Sequence, residues 1–322
     1  MLICVSANPA IDRRLRIRNL EKGGINRALS ATPYPGGKAV HVALAARALG
    51  EDVMWIGFLG GAAGEECERR LLELGIGVTV VRTETETRTN LEIVEDDGTI
   101  TEILEPGGKV NEGDVERMLS LCRDIFAEYG AESQVALSGS LPPGSPSDFY
   151  AQMICSAHAY GCRVLLDASG EALRRALGSA PDLVKLNSTE AESITDHPIE
   201  EPRAAEEAAR RLIAAGAQSA AVSLGSAGLV WRNGSQLVAL AAEPPLVEGR
   251  SAVGCGDATL AGFAVAYSRK LSDEETLRLA AACGTANCLA DAPGMIKPAD
   301  VERLLREVPV RRVSALRQYE QV

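Results

Sequence analysis

Apolar runs of strand length alternate with longer apolar runs of helix length along most of this chain, and that alternation limits its fold more than any other feature. Leu2–Ala7 reads as a strand, Ala39–Leu49 as a helix closed by Gly50, Val53–Leu59 as a strand and Glu65–Leu74 as a helix ending at Gly75. Strand, crossover helix, strand is the unit of a parallel sheet, and such a sheet needs helices on both faces. The rhythm resumes with helix Asp114–Tyr129, strand Gln134–Leu137, helix Phe149–Tyr160, and strands Arg163–Leu166 and Leu183–Leu186. Helix Pro202–Ala215 follows, then strands Ser219–Leu224, Gly228–Arg232 and Gln236–Ala242. A helix beginning near Asp257 and two more, Asp273–Ala290 and Pro298–Glu307, complete the pattern. No repeat or low-complexity linker divides it. The expected fold class is α/β: one doubly wound domain, residues 1–322, on a mostly parallel sheet.

Two stretches, about 13–35 and 87–105, break the rhythm. In the first, Leu15-Arg16-Ile17-Arg18 alternates and Gly23-Gly24 offers a turn; in the second, Leu91–Val94 and Thr99–Ile103 flank Asp97-Gly98, a favoured hairpin turn. Alternating apolar and polar residues suit half-exposed antiparallel strands. The two insertions are expected to form one small antiparallel accessory sheet, serving as a lid over a cleft, a dimer interface, or both.

Apolar residues make up 46% of the chain, enough for a large core, while a net charge of −11 and a pI near 5.0 argue against a nucleic-acid partner. The basic cluster Arg311, Arg312 and Arg317 reads as a solvated tail. Eight cysteines without a C-x-x-C pair, and three scattered histidines, give no zinc pattern and read as free thiols in a reducing compartment. No apolar run reaches the ~18 residues of a membrane span. The opening Met1–Val5 lacks a basic head, so a cytoplasmic protein without a membrane partner is expected.

The stretch Ser251–Phe263 carries the most chemical information. Gly254 and Gly256 bracket a tight turn before a long apolar helical run, and a glycine turn entering a helix gathers backbone N–H groups into an anion site. Asp257 at that point suits two roles equally: a helix N-cap, or a base taking the proton of a hydroxyl that attacks a phosphoryl group. The other common nucleotide and hydrolase signatures are missing. Gly37-Lys38 is followed by Ala39, so there is no P-loop, and neither a G-x-G-x-x-G fingerprint nor a G-x-S-x-G elbow is present.

Further motifs stand in order along the chain: Asn8-Pro9-Ala10-Ile11-Asp12, Gly24-Ile25-Asn26-Arg27, Gly36-Gly37-Lys38 and Thr87-Arg88-Thr89-Asn90. After them come Gly139-Ser140-Leu141-Pro142-Pro143-Gly144, Asp167-Ala168-Ser169-Gly170-Glu171, Asn187-x-x-Glu190 and Gly254-Cys255-Gly256-Asp257. This ordered set, spanning residue 2 to about 305, resembles the ribokinase-like (PfkB-type) carbohydrate kinases, and within them the 1-phosphofructokinase and tagatose-6-phosphate kinase branch. The resemblance implies a three-layer α/β/α fold and ATP-dependent phosphorylation of a ketohexose phosphate. It implies Asp257 as general base, with N–H groups of Gly254, Cys255 and Gly256 on the transferred phosphoryl group. Asp12, Gly36, Gly37, His41 and Asn90 would hold the sugar, and Lys38, Arg27 and Arg88 its phosphate. Lys185, Asn187, Ser223, Gly225, Gly228 and Asn287 would line the ATP site, and Asn187 and Glu190 would organise Mg²⁺. A homodimer through the lid is implied by analogy. Where the family usually has Gly, Asn, Pro and Ala, this chain has Ala39, His41, Leu186 and Cys255, which leaves the choice of sugar open. The alternatives are a kinase for an unphosphorylated sugar or nucleoside, and a non-catalytic sugar or nucleotide sensor.

Overall fold

The computed structural model describes residues 1–195, 197–236, 238–249 and 251–313. Its first part holds strands β1 (Leu2–Ser6), β2 (Ala10–Arg16) and β3 (Ser30–Gly36), helix α1 (Lys38–Ala48), β4 (Val53–Leu59), α2 (Gly61–Glu73) and β5 (Gly77–Arg82). Then come β6 (Arg88–Val94), β7 (Ile100–Ile103), α3 (Glu112–Tyr129), β8 (Gln134–Ser138), α4 (Phe149–Ala159), β9 (Arg163–Asp167), α5 (Gly170–Leu177), β10 (Leu183–Asn187) and α6 (Ser188–Thr195). The last part is α7 (Pro202–Ala214), β11 (Ser219–Ser223), β12 (Leu229–Asn233), β13 (Leu240–Ala242), α8 (Cys255–Ser268), α9 (Asp273–Cys288), α10 (Pro298–Leu305) and β14 (Val310–Arg312).

One sheet runs β14-β13-β12-β11-β10-β9-β8-β1-β4-β5, parallel from β11 through β5 and antiparallel from β11 to β14. Its strands carry buried residues on both faces. Cys4, Trp55, Leu165 and Leu183 pack with Val42, Leu260 and Phe263, while Ile3, Val5, Val135 and Val184 pack with Met118, Phe149 and Met153. Helices α1 and α8 are apolar nearly all round because they lie in contact with each other beneath the sheet and have no broad solvent face. The chain leaves β1 toward β4 on one side and comes back to β8 on the other. That reversal opens a crevice beyond the carboxyl ends of the strands, where α/β sheets bind ligands.

The second sheet, β3-β2-β6-β7, is the accessory sheet expected from the two insertions. Each insertion is an antiparallel pair, and the two are joined by a parallel pairing of β2 with β6 in which Asp12 lies opposite Asn90. Several elements depart from expectation. Helix α2 begins at Gly61, ahead of Glu65, and β13 begins only at Leu240, with Leu237 outside the described residues. Strand β14 contains Arg311 and Arg312, which therefore belong to the sheet and not to a solvated tail; the backbone pairs with β13 and the Arg311 guanidinium meets Glu243. Arg317 lies outside the described residues. Among the described residues no helix is long and apolar enough to cross a membrane.

Candidate active site

The turn into α8 is built by its glycines. Gly254 adopts φ 81°, a left-handed conformation, and a side chain there would also press on Pro293. A methyl at Gly256 would displace the Lys185 ammonium, which lies against it. The Cys255 N–H, expected to face an anion, donates instead to the Ala252 carbonyl at 3.2 Å and closes the turn. It can reach a phosphoryl group only if that turn opens.

Asp257 sits buried in the first turn of α8, and its Oδ2 lies 2.8 Å from Nδ1 of His41 on α1. The opposite ring nitrogen of His41, Nε2, is 3.4 Å from Oδ2 of Asp12, and Asp12 Oδ1 accepts 2.8 Å from the Asn90 amide. A chain of side chains therefore runs from the lid through Asp12 and His41 to Asp257. Burial opposes a charge on His41, but hydrogen bonds and attraction from Asp12 and Asp257 outweigh it and raise its pKa from 6.5 to about 10. His41 is thus an imidazolium at neutral pH. Asp12 is partly buried, which acts to raise its pKa; the His41 and Asn90 contacts and the Arg88 charge lower it overall. Gly36 is required because a methyl there would overlap the Asp12 carboxylate, and Gly37 at φ 97° turns the backbone from β3 into α1.

A second charged group lies at the ends of β9 and β10. Asp167 is fully buried and bonds Lys38 at 2.6 Å and Lys185 at 2.9 Å. Burial would raise its pKa, yet Lys185 and Lys38 hold it down at about 2. Burial likewise opposes the Lys38 charge, but Asp167, Asp257 and Glu190 raise its pKa above the ordinary lysine value. Lys38 also reaches Glu190 at 3.2 Å. Asn187 and Glu190 cap each other's backbone: the Asn187 N–H donates to Glu190 Oε2 at 2.9 Å, and the Glu190 N–H to Asn187 Oδ1 at 2.8 Å. Asp167 appeared in sequence only within a motif; its place as the hub between two lysines depends on strands brought together by the sheet.

Beside the α8 turn is a cavity of about 300 Å³. Ser223, Gly225 and Gly228 line it, joined by Leu246, Cys255 and Cys288. Leu246 and Cys288 carry no motif, and only the fold brings them here. Asn287 has its carboxamide engaged, donating to the Val253 carbonyl at 2.7 Å and accepting from the Gly294 N–H at 2.8 Å, so it braces the α8 turn. On the lid, Arg88 donates to the Asn8 and Glu105 carbonyls at 2.9 and 3.0 Å, while its Nε is buried without a partner. Arg27 is exposed in the loop between β2 and β3.

The description "pfkB family carbohydrate kinase" matches residues 3–298. The chain belongs to the pfkB family of carbohydrate kinases, and it is a sugar kinase that transfers a phosphoryl group to a hydroxyl. It is 37% identical to 1-phosphofructokinase of Xanthomonas campestris pv. campestris over 87% of this chain and 88% of that one. With 1-phosphofructokinase of Rhodobacter capsulatus it shares 32% identity over 95% and 96%. Among solved structures, phosphofructokinase-2 from Escherichia coli superposes with a TM-score of 0.87 at 27% identity, covering 95% of this chain and 98% of that one.

Proposed function

We propose that this kinase phosphorylates a ketohexose phosphate of the fructose 1-phosphate or tagatose 6-phosphate type, with ATP as donor and Asp257 as general base. The observation that carries the proposal is the placement of a buried carboxylate, Asp257, in the first turn of α8, tied through His41 to Asp12. The helix N-terminus favours negative charge, while Asp257 accepts the proton of the acceptor hydroxyl as its oxygen bonds phosphorus. His41 fixes the orientation of one Asp257 oxygen and, through Asp12, relates it to the sugar. Lys38 and Lys185 bring positive charge next to the α8 turn, which suits a phosphoryl group crossing it.

The residues present fit ATP and Mg²⁺. Gly225 and Gly228, at φ 58° and 112°, leave the backbone bare along the cavity. Mg²⁺ is commonly held by one or two carboxylates plus phosphate oxygens. Among the described residues no three His, Cys, Asp or Glu cluster as a complete protein cage, and the oxygens of Asn187 and Glu190 suit the sparser arrangement. When bound, the ion would neutralise phosphate charge. We also read residues 1–322 as one kinase domain carrying its lid, and the lid as a homodimer clasp, because Ile25, Leu29, Ile103 and Leu104 are exposed on it.

A second reading, an unphosphorylated sugar or nucleoside as acceptor, draws support from Arg88, two of whose donors are spent on backbone carbonyls. An ADP-release assay with Mg-ATP separates the two. The panel would contain fructose 1-phosphate, fructose 6-phosphate, tagatose 6-phosphate, fructose, ribose and adenosine. Turnover confined to sugar phosphates is expected; turnover only on uncharged acceptors would favour the second reading.

A further inference from the structure

The wall of the nucleotide cavity contains two thiols in contact. Cys255 Sγ, at the start of α8, lies 3.3 Å from Cys288 Sγ, at the end of α9, and both are partly exposed. The other cysteines offer no comparable pair. Cys4, Cys67, Cys122, Cys162 and Cys283 are buried, and Cys155 is exposed with its sulfur beside Ser179. Burial raises the pKa of Cys4, Cys67, Cys122 and Cys283 and keeps those thiols protonated. At the pair, the two sulfurs share a hydrogen bond that either thiol can donate, and this contact raises the pKa of Cys255 and lowers that of Cys288. One sulfur is thereby prepared as nucleophile and the other as its resolving partner.

We propose that Cys255 and Cys288 are an oxidisable dithiol in the nucleotide cavity, closed to a disulfide by a hydroperoxide. The Cys288 thiolate attacks one peroxide oxygen, the O–O bond breaks, and the departing oxygen leaves as an alcohol, or as water when the oxidant is hydrogen peroxide. The Cys255 sulfur then attacks the resulting sulfenic acid. An S–S bond forms, the S–O bond breaks, and the Cys255 proton leaves with the hydroxide as water. Two thiols and one hydroperoxide become a disulfide, an alcohol and water.

A disulfide bond is about 2.05 Å long, so the sulfurs must approach by roughly 1.2 Å. Cys255 is the first residue of α8 and its N–H closes the turn onto Ala252, so that movement pulls on the Gly254–Gly256 turn next to Asp257. Misplacing reacting groups by about 1 Å lowers rates on the order of 10²-fold. The effect on turnover rests on the kinase reading above, whereas formation of the disulfide does not.

Peptide mapping after hydrogen peroxide treatment of the full chain tests the proposal. A peptide linked through Cys255 and Cys288 is expected, with turnover falling about 10²-fold and recovering in dithiothreitol. Cys155→Ser should behave in the same way. Cys288→Ala should give no linked peptide, and its turnover should show no peroxide loss that dithiothreitol reverses. Peroxide that oxidises Cys155 but leaves both Cys255 and Cys288 as thiols would overturn the dithiol. A linked peptide with unchanged turnover would overturn its control of the site. If untreated protein turns nothing over, the kinase reading fails, and the linked peptide still decides the dithiol.

Discussion

At the scale of single residues, His41 governs the electrostatics of the site. It stands between Asp12 and Asp257; without it two carboxylates, Asp257 buried and Asp12 partly buried, would share one side of α1 with no cation between them. Removing one partner from a buried charged group commonly costs about 3–5 kcal/mol. His41→Asn is expected to lose on the order of 3 kcal/mol near pH 6, since asparagine can donate but carries no charge. The folded pKa of about 10 lies above the ordinary 6.5, so the stabilisation is complete below pH 6.5 and is lost as pH rises through 10. Melting temperatures of parent and variant should therefore converge between pH 6.5 and 10. A gap that stays constant over that range would remove the imidazolium from the account. This contact was not legible in the sequence. His41 and Asp257 are 216 residues apart, and helical periodicity cannot say which side chains meet across two packed helices. Asp257 itself was legible because glycines before a helix start constrain the backbone locally.

Among elements, the lid has the most specific consequence. The parallel pairing of β2 with β6 joins the two insertions, and the Asp12–Asn90 bond extends that join to the site. Arg88, the first residue of β6, braces the Asn8 and Glu105 carbonyls and retains a buried, unpartnered Nε. Arg88→Ala should raise KM for a sugar phosphate about tenfold or more while changing it little for an unphosphorylated sugar, because a charge-assisted hydrogen bond contributes about 1.5–3 kcal/mol. Equal changes for both acceptors, read from initial-rate kinetics, would make Arg88 a brace alone. The lid was legible through its alternation and the Asp97-Gly98 turn. Other elements were not. Helix α5 opens inside Asp167-Ala168-Ser169-Gly170-Glu171 and α6 inside Asn187-x-x-Glu190, stretches whose polar groups read as motifs, and β5 is an edge strand without a continuous buried run. Strand β14 is three residues, two of them arginine, and forms through backbone pairing that composition cannot reveal.

For the whole molecule, the alternation of strands and helices announced a doubly wound α/β fold, and the observed sheet with helices on both faces has that form. The strand order and the crevice it opens were not readable, because they depend on which strands pair over long separations. The exposed Ile103 and Leu104 on the lid predict self-association. Sedimentation should show a dimer, and Ile103→Glu should shift it toward monomer; a parent chain that stays monomeric at all concentrations would contradict a lid clasp. In the proposed mechanism Asp257 takes the proton of the acceptor hydroxyl during phosphoryl transfer. The most direct test of that step is the single-turnover rate of Asp257→Asn with Mg-ATP and the best acceptor from the panel, measured beside nucleotide binding. A rate lower by roughly 10²–10⁴-fold with nucleotide still bound is expected. A rate within a few-fold of the parent would contradict that role.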